Sequence, residues 1–342
     1  MKVDSPHYSS IDVLRAFSCF LVIVIHVSSD TPYSSDIGWN VSNILNSFSR
    51  MAVPIFIIIS AYLMSEKKYE SYFLFIKKRV IRIIPVIIVW SYFYGWFNNK
   101  DIFSMQFLLS LLSGPTMFHL WYLYAIVGVY LLIPILSSFK NSYGDEGILT
   151  LFGVWFIFGC ITPLVSDVYQ LNSVFITNYN LNQISGVAGY AITGVAIHSF
   201  MRLRPNVLLC VLLVIICNAL TACFTYSYSH GSGSTYQAFY SYTSPLVAIA
   251  AICMTLACLK IYFPTIPVLL SKLISLVSSV SLGVYCIHMF VFTTLDILYS
   301  DYIGPKANIM TYFVVFMSIA VLIGSVILSL LLKKIPYLNK CV

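Results

Sequence analysis

Apolar runs of about twenty residues follow one another along almost the whole chain, and a chain so patterned has very few folds open to it. About twenty apolar residues are what a helix needs to cross a hydrocarbon layer roughly 30 Å thick. In lipid each backbone N–H and C=O must be satisfied within the segment, so these runs are expected to be helices. A lipid-embedded barrel would instead alternate polar and apolar residues over short segments, and this chain does not. Charge is scarce in proportion: 9% of the 342 residues are Asp, Glu, Lys or Arg and 59% are apolar, with a mean hydropathy of +0.89. An ordinary soluble domain carries roughly 25% charged residues. The expected fold is therefore all-α, a polytopic integral membrane helix bundle forming a single membrane domain over residues 1–342.

About ten transmembrane helices are expected, over residues 11–29, 43–64, 80–97, 118–137, 148–165, 183–201, 206–226, 244–262, 274–298 and 309–332. The stretch Ile102–Leu112 reads as a half-inserted amphipathic segment. The first run is not read as a cleaved leader, because Arg15 interrupts it, Asp12 flanks it and no small-residue cleavage pattern follows.

Lys and Arg distribution orients the bundle. With both termini cytoplasmic, the inner face collects Lys2, Lys67, Lys68, Lys77, Lys78, Arg79, Arg82, Lys140, Arg202, Arg204, Lys260, Lys272, Lys333, Lys334 and Lys340. The outer face keeps Lys100 and Lys306, and the outer loops Ser28–Asn40, Ser166–Gln183 and Tyr226–Ser244 hold no Lys or Arg. The net charge of +7 is thus mostly a topological signal and does not point to nucleic acid. The nine cysteines show no CxxC or metal-like spacing, and neither a disulfide nor a metal site is expected.

Ionisable residues inside the spans carry the remaining information, since they are costly in lipid and face the bundle interior. In IDVLRAFSCFLVIVIH, Arg15 and His26 are separated by ten residues. Eleven steps of about 100° return to within roughly 20° of the starting direction, so both side chains share one helix face, about 16 Å apart along the axis. Arg50 in SRMAVPIFIIISAYL, His119 in FHLWYL and His288 in SLGVYCIH reach nearly the same depth as His26 in their own spans. One layer is expected to hold three histidines and an arginine. Histidine suits a general base near neutral pH, and Arg50 suits a developing oxyanion or a phosphate. Taken singly, each histidine also reads as a satisfied polar residue between helices, and Arg15 as a snorkelling cation. On the inner side, Arg79 and Arg82 stand at i and i+3 of KKRVIRIIP, a spacing that suits bidentate phosphate recognition, or plain inner-face charge.

These residues resemble the membrane-bound acyltransferase 3 family, which includes many bacterial polysaccharide O-acetyltransferases. The likeness rests on IDVLR with His26, SRMAVPIFIIISAYL, the RxxR of Arg79 and Arg82, HLWYL and SLGVYCIH, in family order over essentially the full length. It is closest to the branch containing the enterobacterial common antigen O-acetyltransferase. Ala61 departs from the pattern, relatives commonly having Gly there, and a stand-alone membrane enzyme without the extracellular hydrolase domain often fused to such proteins is expected. The resemblance implies a multi-pass enzyme of the bacterial inner membrane that moves an acetyl group from cytoplasmic acetyl-CoA to a hydroxyl of a cell-surface glycan or its lipid-linked precursor. Arg79, Arg82 and Arg15 would then hold the donor phosphates. His26 would deprotonate the hydroxyl or carry the acetyl group transiently, with Arg15 and Arg50 assisting. His119, Trp121, Tyr285, His288 and Asp30 are the candidates for the acceptor side, Asp30 by orienting His26 if the helix persists that far. A transporter or flippase for an anionic lipid-linked glycan is the competing class, since it too needs buried Arg and His. No pair of repeats with interrupted helices of the transporter kind is visible.

Overall fold

The computed structural model describes residues 6–34, 37–65, 71–171, 186–261, 267–302 and 310–342. Lys2, Lys67, Lys68, Lys306 and most of the outer loop 166–183 lie outside the described residues, as do the starts of the spans expected at 183–201 and 309–332. Among the described residues every regular element is helical. In chain order the α-helices are α1 (Pro6–Ser29), α2 (Ile37–Ser49), α3 (Ala52–Ser65), α4 (Tyr72–Phe97), α5 (Met105–Ser113), α6 (Trp121–Trp155), α7 (Thr162–Tyr169), α8 (Tyr190–Arg202), α9 (Val207–Ser232), α10 (Pro245–Lys260), α11 (Val268–Ser279), α12 (Ser281–Tyr302) and α13 (Met310–Leu332).

Seven stretches of the described residues are long and apolar enough to cross a membrane. The chain is a multi-pass helical membrane protein. Each of the ten expected spans overlaps a helix, yet only some do so as one unbroken rod. The stretch Phe118–Tyr169 covers 52 residues, about 78 Å of helix at 1.5 Å per residue and far more than one crossing requires. It is divided at Gly144, whose φ of 66° and ψ of −157° lie outside the helical region. A side chain is strained at such a φ, and glycine is not. The segment Phe156–Ile161 then takes π-helical bonding before α7.

Two expected spans are corrected in form. Residues 43–64 do not make one helix: the chain breaks at Arg50–Met51, between α2 and α3. Pro54, lacking an N–H, falls in the first turn of α3, where that lack costs nothing. Residues 274–298 likewise divide at Val280, which separates the short α11 from α12. The amphipathic reading of 102–112 matches α5, a nine-residue helix too short to cross, which buries Phe107 and exposes Met105 and Leu112.

α1 is the axis of the bundle, packing against α2, α3, α10, α11, α12 and α13. One apolar core gathers α1, α3, α6, α8, α9 and α10, and a second gathers α1, α4, α12 and α13. α3 and α8 come into close contact at Gly194, where an added Cβ would lie 2.5 Å from both the Ala61 Cβ and the Ile58 carbonyl oxygen. The alanine at 61 is thus accommodated by the glycine opposite it, small residues letting helices meet without side chains between them. Several cations of the expected inner face bind carbonyls of neighbouring segments: the Nζ atoms of Lys140, Lys260 and Lys333 donate to the carbonyls of Val195, Pro205 and Ser279.

Candidate active site

α1 carries both Arg15 and His26, and the structure builds a cavity around the first and a cluster of histidine rings around the second. At the Arg15 end a cavity of about 390 Å³ opens between α1, α3, α4, α6, α11 and α12. Arg15, Arg79 and Arg82 line it, together with Ser60, Tyr130 and Ser278, while Val22, Val53, Phe56 and Leu123 supply an apolar wall. Lys77 and Lys78, adjacent in sequence to the arginine pair, are exposed and do not line the cavity. The Arg79 side chain packs over the Phe75 ring, with Cζ 5.5 Å from its centre, and its Nε is buried without a hydrogen-bond partner. A guanidinium so held offers its donors to an anion entering the cavity.

Tyr122 and Tyr285 also line this cavity, with ring centres 5.4 Å apart. The Tyr285 ring in turn lies 5.9 Å from that of His119 and 6.1 Å from that of His288. The ring centres of His26 and His288 are 5.1 Å apart, those of His119 and His288 5.0 Å, and those of His26 and His119 6.3 Å. His119 comes from the 3₁₀ turn Phe118–Leu120 that precedes α6, and His288 from the turn of α12 after Tyr285. Both are buried, whereas His26 is half-buried beside the exposed Phe118.

Backbone carbonyls fix two of the rings. His119 Nε2 donates to the Cys286 carbonyl at 3.2 Å. His288 Nδ1 donates to the carbonyls of Tyr285 at 2.7 Å and Val284 at 3.2 Å. A carbonyl only accepts, so these nitrogens carry the protons and the opposite ones are bare. Those bare nitrogens, His119 Nδ1 and His288 Nε2, are buried and unpartnered. Tyr94 tightens the same turn, its hydroxyl donating to the Cys286 carbonyl at 2.8 Å and accepting from the Phe290 N–H at 3.2 Å. Tyr285 donates its hydroxyl proton to the His119 carbonyl.

Arg50 sits at the α2–α3 break. Its Nε donates to Asn46 Oδ1 at 2.6 Å, and its Cζ lies 4.6 Å from the Tyr240 ring centre and 5.9 Å from that of Tyr242. Asn46 in turn donates to the Ile25 carbonyl at 3.3 Å and to Ser28 Oγ at 2.8 Å. A relay of one side chain therefore ties Arg50 to α1 on either side of His26. Trp121 stacks on Tyr242 with ring centres 5.5 Å apart and belongs to this aromatic floor under Arg50 rather than to the histidine trio. α1 runs on past His26 to Ser29, so Asp30 follows His26 by one helical turn at the very end of the helix, and it is exposed.

Sequence reasoning missed Asn46, Tyr94, Tyr122, Tyr240 and Tyr242. The only signal for the last two was the tyrosine richness of the loop before α10. Among the described residues no group of three or more His, Cys, Asp or Glu side chains has an arrangement that would hold a metal ion.

Comparison with known proteins adds one match. The acyltransferase 3 family model, described as an acyltransferase domain, matches residues 8–330, a span that includes Arg15, Arg79, Arg82 and the three histidines. No curated protein and no solved structure matches the chain.

Proposed function

From the premise that this chain belongs to the acyltransferase 3 family, and is a membrane acyltransferase, we propose that it moves an acetyl group from acetyl-CoA to a hydroxyl of a cell-surface glycan or its lipid-linked precursor. In this reading it works in the bacterial inner membrane with both termini in the cytoplasm. The observation that carries the proposal is the arrangement along α1 of a cavity lined by three arginines and a cluster of three histidine rings, with Tyr285 both lining the cavity and touching the rings of His119 and His288.

Arg15, Arg79 and Arg82 bind the phosphates of the donor at the inner mouth, where charge-assisted hydrogen bonds to a guanidinium fork are strong and directional. The apolar wall of the cavity takes the thin arm of the thioester, which passes Tyr122 and Tyr285 to reach His26. His26 acts as general base on the acceptor hydroxyl. The C–O bond forms as the C–S bond breaks, and the proton moves from the hydroxyl through His26 to the departing thiolate. Arg50, held out to the same layer by Asn46, offers positive charge to the oxyanion that develops on the acyl carbonyl. His119, His288, Trp121, Tyr285 and Asp30 frame the acceptor.

Purified protein in lipid nanodiscs, given acetyl-CoA labelled in the acetyl group and a panel of bacterial glycans, should yield a labelled, base-labile ester. Absence of label from every glycan, with the protein folded, would refute the donor and acceptor reading and reopen the transport alternative.

A further inference from the structure

A histidine acting as base needs something to hold its second nitrogen. The usual partner is a carboxylate, which fixes the tautomer and steadies the imidazolium. Here the acidic residue nearest His26 in the sequence, Asp30, lies beyond the end of α1 and is exposed. Among the described residues the His26 ring makes no hydrogen bond, although the rings of Phe118, His119 and His288 surround it.

Two acceptors near it lack donors. His288 Nε2 and His119 Nδ1 are both buried and unpartnered, on side chains only 1% exposed. A buried polar atom without a partner is rare enough in a folded protein to require a reason. Each is bare because the other nitrogen of its ring donates to a backbone carbonyl. Of the two rings, His288 is the nearer to His26, at 5.1 Å with 32° between planes, against 6.3 Å and 75° for His119. An N–H···N bond of about 3 Å joining two imidazoles sets their centres roughly 5 Å apart. His119 has already committed its one N–H to Cys286, and the Tyr285 hydroxyl is committed to the His119 carbonyl.

We propose that His288 is the positioning residue for His26, its bare Nε2 accepting the His26 N–H in the place a carboxylate would usually take. The inference rests on His26 serving as the base. When His26 takes the hydroxyl proton, both its nitrogens carry protons. One N–H stays on His26, hydrogen-bonded to His288 Nε2, and the other proton goes on to the thiolate, so His26 returns to its starting form. His288 neither gains nor loses a proton. A neutral imine nitrogen performs this task without an anion at membrane depth, where a carboxylate is costly.

Two readouts test it, one of them independent of turnover. In ¹⁵N spectra of histidine-labelled full-length protein in nanodiscs, the imine nitrogen of His288, assigned with His288→Gln, should carry a hydrogen bond in the wild type. It should lose that bond in His26→Ala. An imine signal indifferent to His26 overturns the proposal, and so does a stoichiometric metal ion found by elemental analysis. In turnover, His288→Ala should lower kcat by about ten- to a hundredfold while leaving KM for acetyl-CoA in place. His288→Gln, whose Oε1 reaches about as far as Nε2, should recover much of that loss. His288→Asn should not, because it keeps a donor for the Tyr285 carbonyl but lacks the reach to His26. Equal kcat for the Gln and Asn variants, both folded, means that His288 only fills space. A wild type that transfers no acetyl group counts against the donor reading alone, and the spectra then decide.

Discussion

Removing Arg79 should separate donor binding from chemistry. Its Nε is buried without a protein partner and its guanidinium is braced on Phe75, whereas Arg82, three residues on, is exposed. A hydrogen bond to a charged group contributes about 1.5–3 kcal/mol, and each 1.4 kcal/mol is roughly tenfold in affinity. Arg79, half-buried and pre-positioned, belongs at the upper end of that range, so Arg79→Ala should weaken donor binding by about a hundredfold. Arg82 is screened by solvent and belongs at the lower end, about tenfold or less. Arg79→Lys should restore only part of the loss, since an ammonium lacks the planar fork. Lys77→Ala is the control: it removes an adjacent charge that does not line the cavity. The assay is calorimetric titration of nanodisc-embedded protein with a thioether analogue of acetyl-CoA that cannot transfer its acyl group. If Arg79→Ala and Lys77→Ala bind that analogue as the wild type does, the arginine pair is topological charge and the inner donor site is wrong.

His26→Ala should abolish transfer without changing donor affinity or thermal stability; a folded variant with near-normal turnover would remove His26 from the mechanism. Arg50→Ala should lower kcat and leave analogue binding unchanged, because Arg50 lies with the outer tyrosines Tyr240 and Tyr242 and not in the arginine-lined cavity; weakened analogue binding with intact kcat would reverse that assignment. Gly194→Ala should destabilise the protein by about 1–3 kcal/mol, read as a lower Tm in detergent, since the new Cβ would meet Ala61 and the Ile58 carbonyl; an unchanged Tm would show that α3 and α8 can separate freely. Single cysteines in a cysteine-free background should react with an impermeant reagent from outside at Ser34 and Ser232 and from inside at Lys140 and Lys334, and reaction at Ser232 from the cytoplasm would break the orientation.

The helical character, the position of α1 and the grouping of His26, His119 and His288 were legible because they depend on two short-range regularities, run length and helical period. Counting residues from the inner end of each span put three histidines from distant parts of the chain at one depth, and their rings stand within 6.3 Å of one another. What was not legible depended on where helices stop. The α2–α3 break at Arg50 has no glycine or proline at the break itself, and Pro54 sits where a helix tolerates it. That Asp30 is left exposed, just past the end of α1 at Ser29, was likewise not visible in the sequence. Tyr240 and Tyr242 lie in a stretch of tyrosines that an interfacial anchor would show equally well, and only the path of the loop before α10 brings them over Arg50. Asn46 gave no signal, since a buried amide in an apolar helix is recognisable only by its partners.

The interruption at Arg50–Met51 gives one crossing of the membrane two independent tenants. One piece, α2, carries Asn46 and delivers Arg50 beside the tyrosines, and the other, α3, carries Ser60 into the arginine cavity and packs onto α8 through Ala61 and Gly194. A continuous rod would transmit any rotation at one end to the other. A jointed one lets α2 tilt or drift in sequence while α3 and the arginine-lined cavity stay as they are. A lineage built on such a joint can vary one end of a single crossing while holding the other fixed.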